Sequence, residues 1–141
     1  DNYNLDTIDQ PMMQFANADL LSFQKKYDDA LLVYDSILEN FRGHDLSDEI
    51  YFRKHKIYLQ KNDFDMSVKM LEFIVKEYSY EILIDDALYN LAKIFDYQYN
   101  NDEKASEFYQ ELILNHEGSI YTSEARERFR LLRGDNLIEE L

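Results

Sequence analysis

This chain of 141 residues is the length of a single domain, and its 45% hydrophobic residues provide enough apolar side chains for a core. With three Gly and one Pro, it has few loop-forming residues, which favours helices. The 15 Lys and Arg against 29 Asp and Glu give a net charge of −14, which argues against nucleic acid or anionic lipid as partners. The acidity either only keeps the protein in solution, which is the preferred explanation, or favours a basic partner. The absence of Cys excludes disulfides and thiol chemistry, and no apolar run approaches the roughly 20 residues that a membrane-spanning helix needs.

The beginning of the chain predicts a polar lead followed by a helical pair. Residues 1–9 are polar without a sustained period, so we expect an extended or disordered lead. The sequence lacks an initial Met and a basic region followed by an apolar one, so we expect a mature form or an excised segment. Pro11 fits the first turn of a helix ending near Phe23. A second helix follows the turn and ends before Gly43, a residue that commonly terminates helices.

The middle of the chain predicts two more helices and an apolar linker. Ser47 begins a third helix, which ends near Lys61, and a fourth helix spans 65–78. The following segment, 79–84, contains Tyr80 and several aliphatic residues. We expect this segment to be a linker that fills the seam between neighbouring helix pairs.

A third helical pair is predicted between Asp85 and His116, followed by a last helix at 122–133 and a tail at 135–141. The apolar residues of the pair recur at helical spacing: Leu88, Leu91, Ala92 and Phe95, then Ala105, Tyr109, Leu112 and Ile113. In the last helix we expect one face to pack inward (Ala125, Phe129, Leu132) and the arginines to lie outside (Arg126, Arg128, Arg130, Arg133). This pattern is typical of the capping helix of a solenoid.

The helical pattern repeats along the chain. Aromatic residues recur 37 positions apart at Phe15, Phe52 and Tyr89, and small residues recur in the second helix of each pair, at Ala30, Ser67 and Ala105. We expect these small residues to lie where the two helices of a pair cross. A period near this length predicts a stacked helical solenoid. The third repeat contains one extra residue in its turn.

The order of residues in the third repeat, Leu88-x2-Leu91-Ala92-x2-Phe95 followed by Ala105-x3-Tyr109, resembles the tetratricopeptide repeat. The resemblance implies an all-α superhelical solenoid of about seven helices. Its domain covers 10–134, with three helical hairpins and the capping helix. The hairpins are expected at about 10–43, 47–80 and 85–117. Departures from the family pattern include Lys54 and His55 at the Leu and small positions of the second repeat, and the absence of a closing proline.

The resemblance also implies where a partner would bind. In this family the first helices line a concave groove that contacts a peptide or protein surface, which makes the chain a non-enzymatic scaffold. The equivalent positions here are Phe15, Asp19, Phe23, Phe52, Arg53, Lys56, Gln60, Tyr89, Asn90, Lys93 and Tyr97. The alternative is that the repeated aromatics only pack against neighbouring helices. Phe15 and Asp19 stand where relatives that bind chaperone tails need Lys and Asn, which disfavours that role.

Two other functions remain open. The long repeat is similar to repeats of bacterial outer-membrane assembly proteins and cell-envelope lipoproteins, which favours a structural segment of an envelope complex and the periplasm or envelope over the cytoplasm. An enzyme is a remote alternative, because His44, His55 and His116 form no pair at the i, i+4 spacing of helical metal ligands. We therefore expect no metal and no cofactor.

Overall fold

The computed structural model describes the backbone of residues 2–78 and 81–134 and the side chains of 10–78 and 83–134. This part of the chain is all-helical, with seven α-helices and no strands, which confirms the predicted all-α fold class. The helices are α1 Asn2–Phe23, α2 Tyr27–Asn40, α3 Ser47–Gln60, α4 Phe64–Glu77, α5 Glu81–Lys93, α6 Asp102–Asn115 and α7 Thr122–Leu132. The predicted tail at 135–141 and the linker residue Tyr80 lie outside the described residues. None of the described helices is long and apolar enough to cross a bilayer.

Helix α1 begins earlier than predicted. The expected extended lead is wrong for residues 2–9, because the helix starts at Asn2 and contains Pro11 in its interior. Proline removes one backbone hydrogen bond but does not prevent the turns before it from being helical. Leu5, Ile8 and Met12 follow the helical i, i+3, i+7 spacing, which the interpretation of Pro11 as a helix start overlooked.

Helix α5 also begins earlier than predicted. Leu83 and Ile84 lie on the helix and not in a linker, because α5 starts at Glu81. The helical spacing of Leu83, Ala87 and Leu91 places them in one stripe, and all three are buried in the same core cluster. Continuing the helix upstream therefore buries Leu83 between α4 and α5.

The helices pack in consecutive pairs, α1 with α2, α3 with α4 and α5 with α6, and α7 packs on α6. Each core cluster joins one pair to the first helix of the next pair, so every pair covers an apolar face of its neighbour. The first cluster contains Ala18, Ala30, Tyr34, Ile37, Ile50 and Ile57. The second contains Phe52, Val68, Leu71, Ile74, Leu83, Ala87, Leu91 and Ile94. The third contains Leu88, Ala92, Ala105, Tyr109, Leu112 and Ala125.

The small residues predicted at the helix crossings are fully buried, as are their counterparts on the first helices. In the first pair Ala18 and Ala30 share a cluster. The second pair differs, because His55 takes the place of alanine and its Nδ1 lies 3.2 Å from Oγ of Ser67. A side chain with more volume at these positions would overpack the crossing.

The turns inside the three pairs share a residue with positive φ after the first helix and a bond from the next N–H back to that helix. This bond spans five residues in the first two pairs, as in a Schellman turn, and six in the third. The positive-φ residues are Lys25, Asn62 and Asn100. The bonds run from N of Lys26, Asp63 and Asn101 to O of Leu21, Tyr58 and Phe95, each at 2.8 Å. The repeat therefore extends to individual hydrogen bonds.

The extra residue of the third repeat is accommodated inside the helix and not in the turn. Helix α5 continues as a π-helical segment, Ile94–Gln98. The N–H of Tyr99 donates to O of Ile94, five residues back, at 3.0 Å. A π-helical turn contains one more residue than an α-helical turn, so it absorbs the insertion.

Candidate functional site

The predicted partner-binding residues lie on the first helices α1, α3 and α5, and we call the surface that they share the first-helix face. One of them is not available there. Phe52 is 8% exposed and packs in the core cluster with Leu71 and Leu91, so its ring cannot contact a partner while the helices remain packed. The structure therefore places Phe52 in the core, whereas the sequence placed it on the binding face. The remaining residues, apart from Phe23, form three groups along the face.

The first group surrounds the buried hydroxyl of Tyr34. The Tyr34 O–H donates to Oδ1 of Asp19, and Asp19 Oδ1 lies 3.4 Å from Nε of Arg53. Burial and this hydrogen bond raise the pKa of Tyr34 far above its ordinary value. The ring of Phe15 meets Tyr34 edge-on at 5.9 Å, with the Arg53 guanidinium 5.6 Å from its centroid. These side chains link α1 to α3, so they stabilise the seam between the first two pairs.

The second group lines a groove of about 360 Å³ between α1, α2 and α3. Lys56 and Gln60 line it together with Ser22 and Tyr27. The Lys56 ammonium lies 4.9 Å from the centroid of the Phe52 ring and forms no ion pair with any described residue. This cation is therefore available to a ligand in the groove.

The third group joins α5 to α7. Tyr89 stacks on Tyr121 with ring centroids 4.0 Å apart and planes at 7°. The Tyr89 O–H donates to Oε2 of Glu124 at 2.9 Å, and the Lys93 ammonium lies 3.3 Å from the same oxygen. Burial, followed by the bond to Glu124, raises the pKa of Tyr89. Tyr121 donates to Asp86, and this bond, with burial, raises the pKa of Tyr121 to about 12. Tyr89 is therefore mainly a packing residue.

Tyr97 is the most accessible aromatic of this group, with 50% of its surface exposed. The Lys93 ammonium and the Arg128 guanidinium lie 4.8 and 5.0 Å from its ring centroid, within the range of cation–π attraction. Beside the ring is a groove of about 190 Å³ whose floor includes Leu59 and Ile94. Asn90 also lines it, and its amide donates to O of Asp86 at 2.7 Å. The ring is thus fixed in position and still open to a ligand.

Arg128 itself is held by a buried carboxylate. Its Nε and Nη2 donate to Asp96 at 2.9 and 2.8 Å, and the Tyr109 O–H donates to the same carboxylate at 2.9 Å. Burial, with this hydrogen bond, raises the pKa of Tyr109 strongly, and the bond to Asp96 raises the pKa of Arg128. The prediction that Arg128 lies outside with the other arginines is wrong. Its guanidinium packs inward and pairs with Asp96, which is buried in the α5–α6 pair.

The sequence contained a signal for Arg128. It follows Asn90 by 38 positions, and Asn90 follows Arg53 by 37, so Arg53, Asn90 and Arg128 are equivalent repeat positions. The prediction treated α7 as a cap and not as the first helix of a further repeat unit. Arg128, Tyr121 and Glu124 were therefore absent from the predicted binding positions.

Phe23 lies apart from the other groups, at the end of α1, with 86% of its surface exposed. The histidines are also separate. His55 is buried in the second pair, Nδ1 of His44 accepts from N of Leu46 at 3.1 Å, and Nδ1 of His116 lies 2.7 Å from Asp85 Oδ1.

A scan of the chain against protein-family models finds no match, and a search of curated proteins finds no significant match. The case for a function therefore depends on the geometry of the described residues.

Proposed function

We propose that this chain is a divergent tetratricopeptide-repeat scaffold without enzymatic activity, which binds a peptide or a protein surface along the first-helix face. The observation that carries the proposal is the environment of Tyr97. Its half-exposed ring is held beneath two cations, next to a small groove with an apolar floor. Rigid aromatic and Arg side chains in such positions supply much of the binding energy in many interfaces.

The second groove extends the same face toward α1. Leu59 of α3 lines both grooves, so an extended ligand that lies across α3 would contact both. Arg53 and Lys93 already have acidic partners, Asp19 and Glu124. The face is therefore less basic than its composition indicates, and we expect apolar and aromatic contacts at Tyr97 to contribute more than charge.

The test is a peptide-display selection on the purified chain, followed by calorimetric titration of the enriched peptides. We expect Tyr97→Ala to weaken binding by about tenfold or more, equivalent to about 1.4 kcal/mol. The matched control is Phe73→Ala, which removes a partly exposed aromatic from α4, on the second-helix side. Phe52→Ala is unsuitable, because it removes a core side chain.

Two results would count against this function. One is a selection that enriches no peptide. The other is a set of peptides that bind Tyr97→Ala and Lys56→Ala as tightly as the parent chain while circular dichroism shows all three to be folded.

One observation favours the second function, a structural segment of a larger assembly such as a bacterial envelope complex. Apolar side chains lie exposed along α1, outside the grooves of the first-helix face.

A further inference from the structure

Helix α1 carries an exposed apolar stripe, formed by Met12, Met13, Ala16, Leu20 and Phe23. The spacing of these residues places them on one side of the helix. The exposed fractions are large: 51% for Met12, 67% for Met13 and 53% for Leu20. Single exposed apolar residues are normal on a protein surface, but a continuous row of them marks an interaction surface.

The internal repeat shows what covers this position elsewhere in the molecule. Met13 and Leu20 are equivalent, 37 positions on, to Ile50 and Ile57 of α3. Both isoleucines are buried in the cluster that contains Tyr34 and Ile37 of the preceding helix α2. A further 37 positions on, Ala87 and Ile94 of α5 are buried with Leu71 and Ile74 of α4. At each of these seams the cover is the second helix of the preceding pair, and within the described residues no such helix lies on α1.

We infer that the α1 stripe is a docking surface for one amphipathic helix of a partner protein, seated as α2 is on α3 and α4 is on α5. The covering helices share a pattern of one small and two large residues at i, i+4 and i+7. It is Ala30, Tyr34, Ile37 in α2, Ser67, Leu71, Ile74 in α4 and Ala105, Tyr109, Leu112 in α6. The partner helix has the same apolar pattern.

Charge determines the rest of the partner's chemistry. The chain has a net charge of −14, so it attracts a helix with basic residues on its polar face. A second copy of the chain has the same negative charge and is repelled. The docked helix is therefore apolar on one side and basic on the other.

The probe is a synthetic peptide of residues 62–78, which contains α4, with the exposed Glu72 and Glu77 replaced by Lys. Binding is followed by NMR of ¹³C-labelled methionine methyl groups. The chain has four methionines, of which Met12 and Met13 lie on the stripe. Met66 and Met70 lie on α4 and serve as internal references. We expect saturable shifts at the first two and none at the references.

The matched variants are Leu20→Asp on the stripe and Leu32→Asp on α2, where an exposed leucine lies outside it. Aspartate adds negative charge, so attraction by charge alone would increase in both variants. We expect Leu20→Asp to weaken binding by about tenfold or more and Leu32→Asp to leave it within about twofold. Met13→Asp repeats the test if Leu20→Asp fails to fold.

Three outcomes would overturn the inference. The first is no saturable shift at Met12 and Met13 up to about 1 mM peptide. The second is equal affinity of the Leu20→Asp variant and the parent chain. The third is a dimer in analytical ultracentrifugation that Leu20→Asp dissociates, which would assign the stripe to a second copy. Loss of peptide binding at Tyr97 would leave this inference unaffected, since the two surfaces are tested by different variants.

Discussion

At the scale of single residues, the pair His55 and Ser67 is the clearest departure from the repeat. The first and third pairs have Ala18 and Ala92 at the position of His55. Nε2 of His55 is buried without a hydrogen-bond partner among the described residues, so protonation would place an unpaired N–H inside the core. Burial, followed by the charge of Lys56, lowers the pKa of His55 from 6.5 to about 3.

This shift predicts a loss of stability in acid. The unfolded chain takes up the proton near its ordinary pKa, whereas the folded chain resists it. The contribution of neutral His55 to the free energy of unfolding is therefore complete above about pH 6.5. It falls by about 1.4 kcal/mol per pH unit as the pH decreases toward 3. Urea unfolding at pH 7 and pH 5 would measure it. The double variant His55→Ala/Ser67→Ala gives the second pair the alanines that the first and third pairs have at these positions. Between pH 7 and pH 5, we expect its free energy of unfolding to decrease by about 2 kcal/mol less than that of the parent chain. Parallel losses in both proteins would contradict the assignment.

At the scale of elements, each of the three turns contains one left-handed residue, and the identity of that residue differs. The positive-φ position is Asn in the second and third pairs but Lys25 in the first. Asn adopts the left-handed conformation more readily than other L residues with side chains, and Gly adopts it without steric strain. The first turn is therefore the most strained of the three.

We expect Lys25→Gly to raise the free energy of unfolding by about 0.5–1 kcal/mol, because relief of the left-handed strain exceeds the entropy that Gly adds to the unfolded chain. Asn62→Gly is the control and should change it by less than about 0.3 kcal/mol. Chemical unfolding followed by circular dichroism measures both. A destabilised Lys25→Gly variant would show that the lysine side chain makes a contribution that outweighs the strain.

At the scale of the whole molecule, the repeated pattern was sufficient to predict the fold class, the pairing of helices and the buried small residues. It failed where a local signal was given too much weight, at Pro11 and in residues 81–84. For the candidate site, the repeat predicted which helix faces to consider. It could not separate Phe52, which is buried, from Tyr97, which is exposed, because both occupy first helices. That difference in exposure depends on the packing of the neighbouring pair and on the π-helical segment. The spacing of residues in the sequence predicts neither.

The attachment of α7 to the array gives a third prediction. Arg128→Met removes both hydrogen bonds to Asp96 and leaves a buried carboxylate with only the Tyr109 hydroxyl, so we expect a loss of about 3 kcal/mol in the free energy of unfolding. Arg126→Met, on the exposed side of the same helix, is the control and should change it by less than about 0.5 kcal/mol. Urea unfolding of the two variants provides the comparison. Equal stabilities would mean that the ion pair contributes nothing to holding α7.

The sharing of first helices between core clusters has a consequence for how the chain opens. Helices α3 and α5 each contribute to two clusters, whereas α1 and α7 each contribute to one. Releasing an outer helix disturbs a single cluster, but releasing α3 or α5 breaks two at once. Fraying therefore proceeds from the ends of the described array inward, and the slowest hydrogen exchange belongs to the amides of its two central first helices.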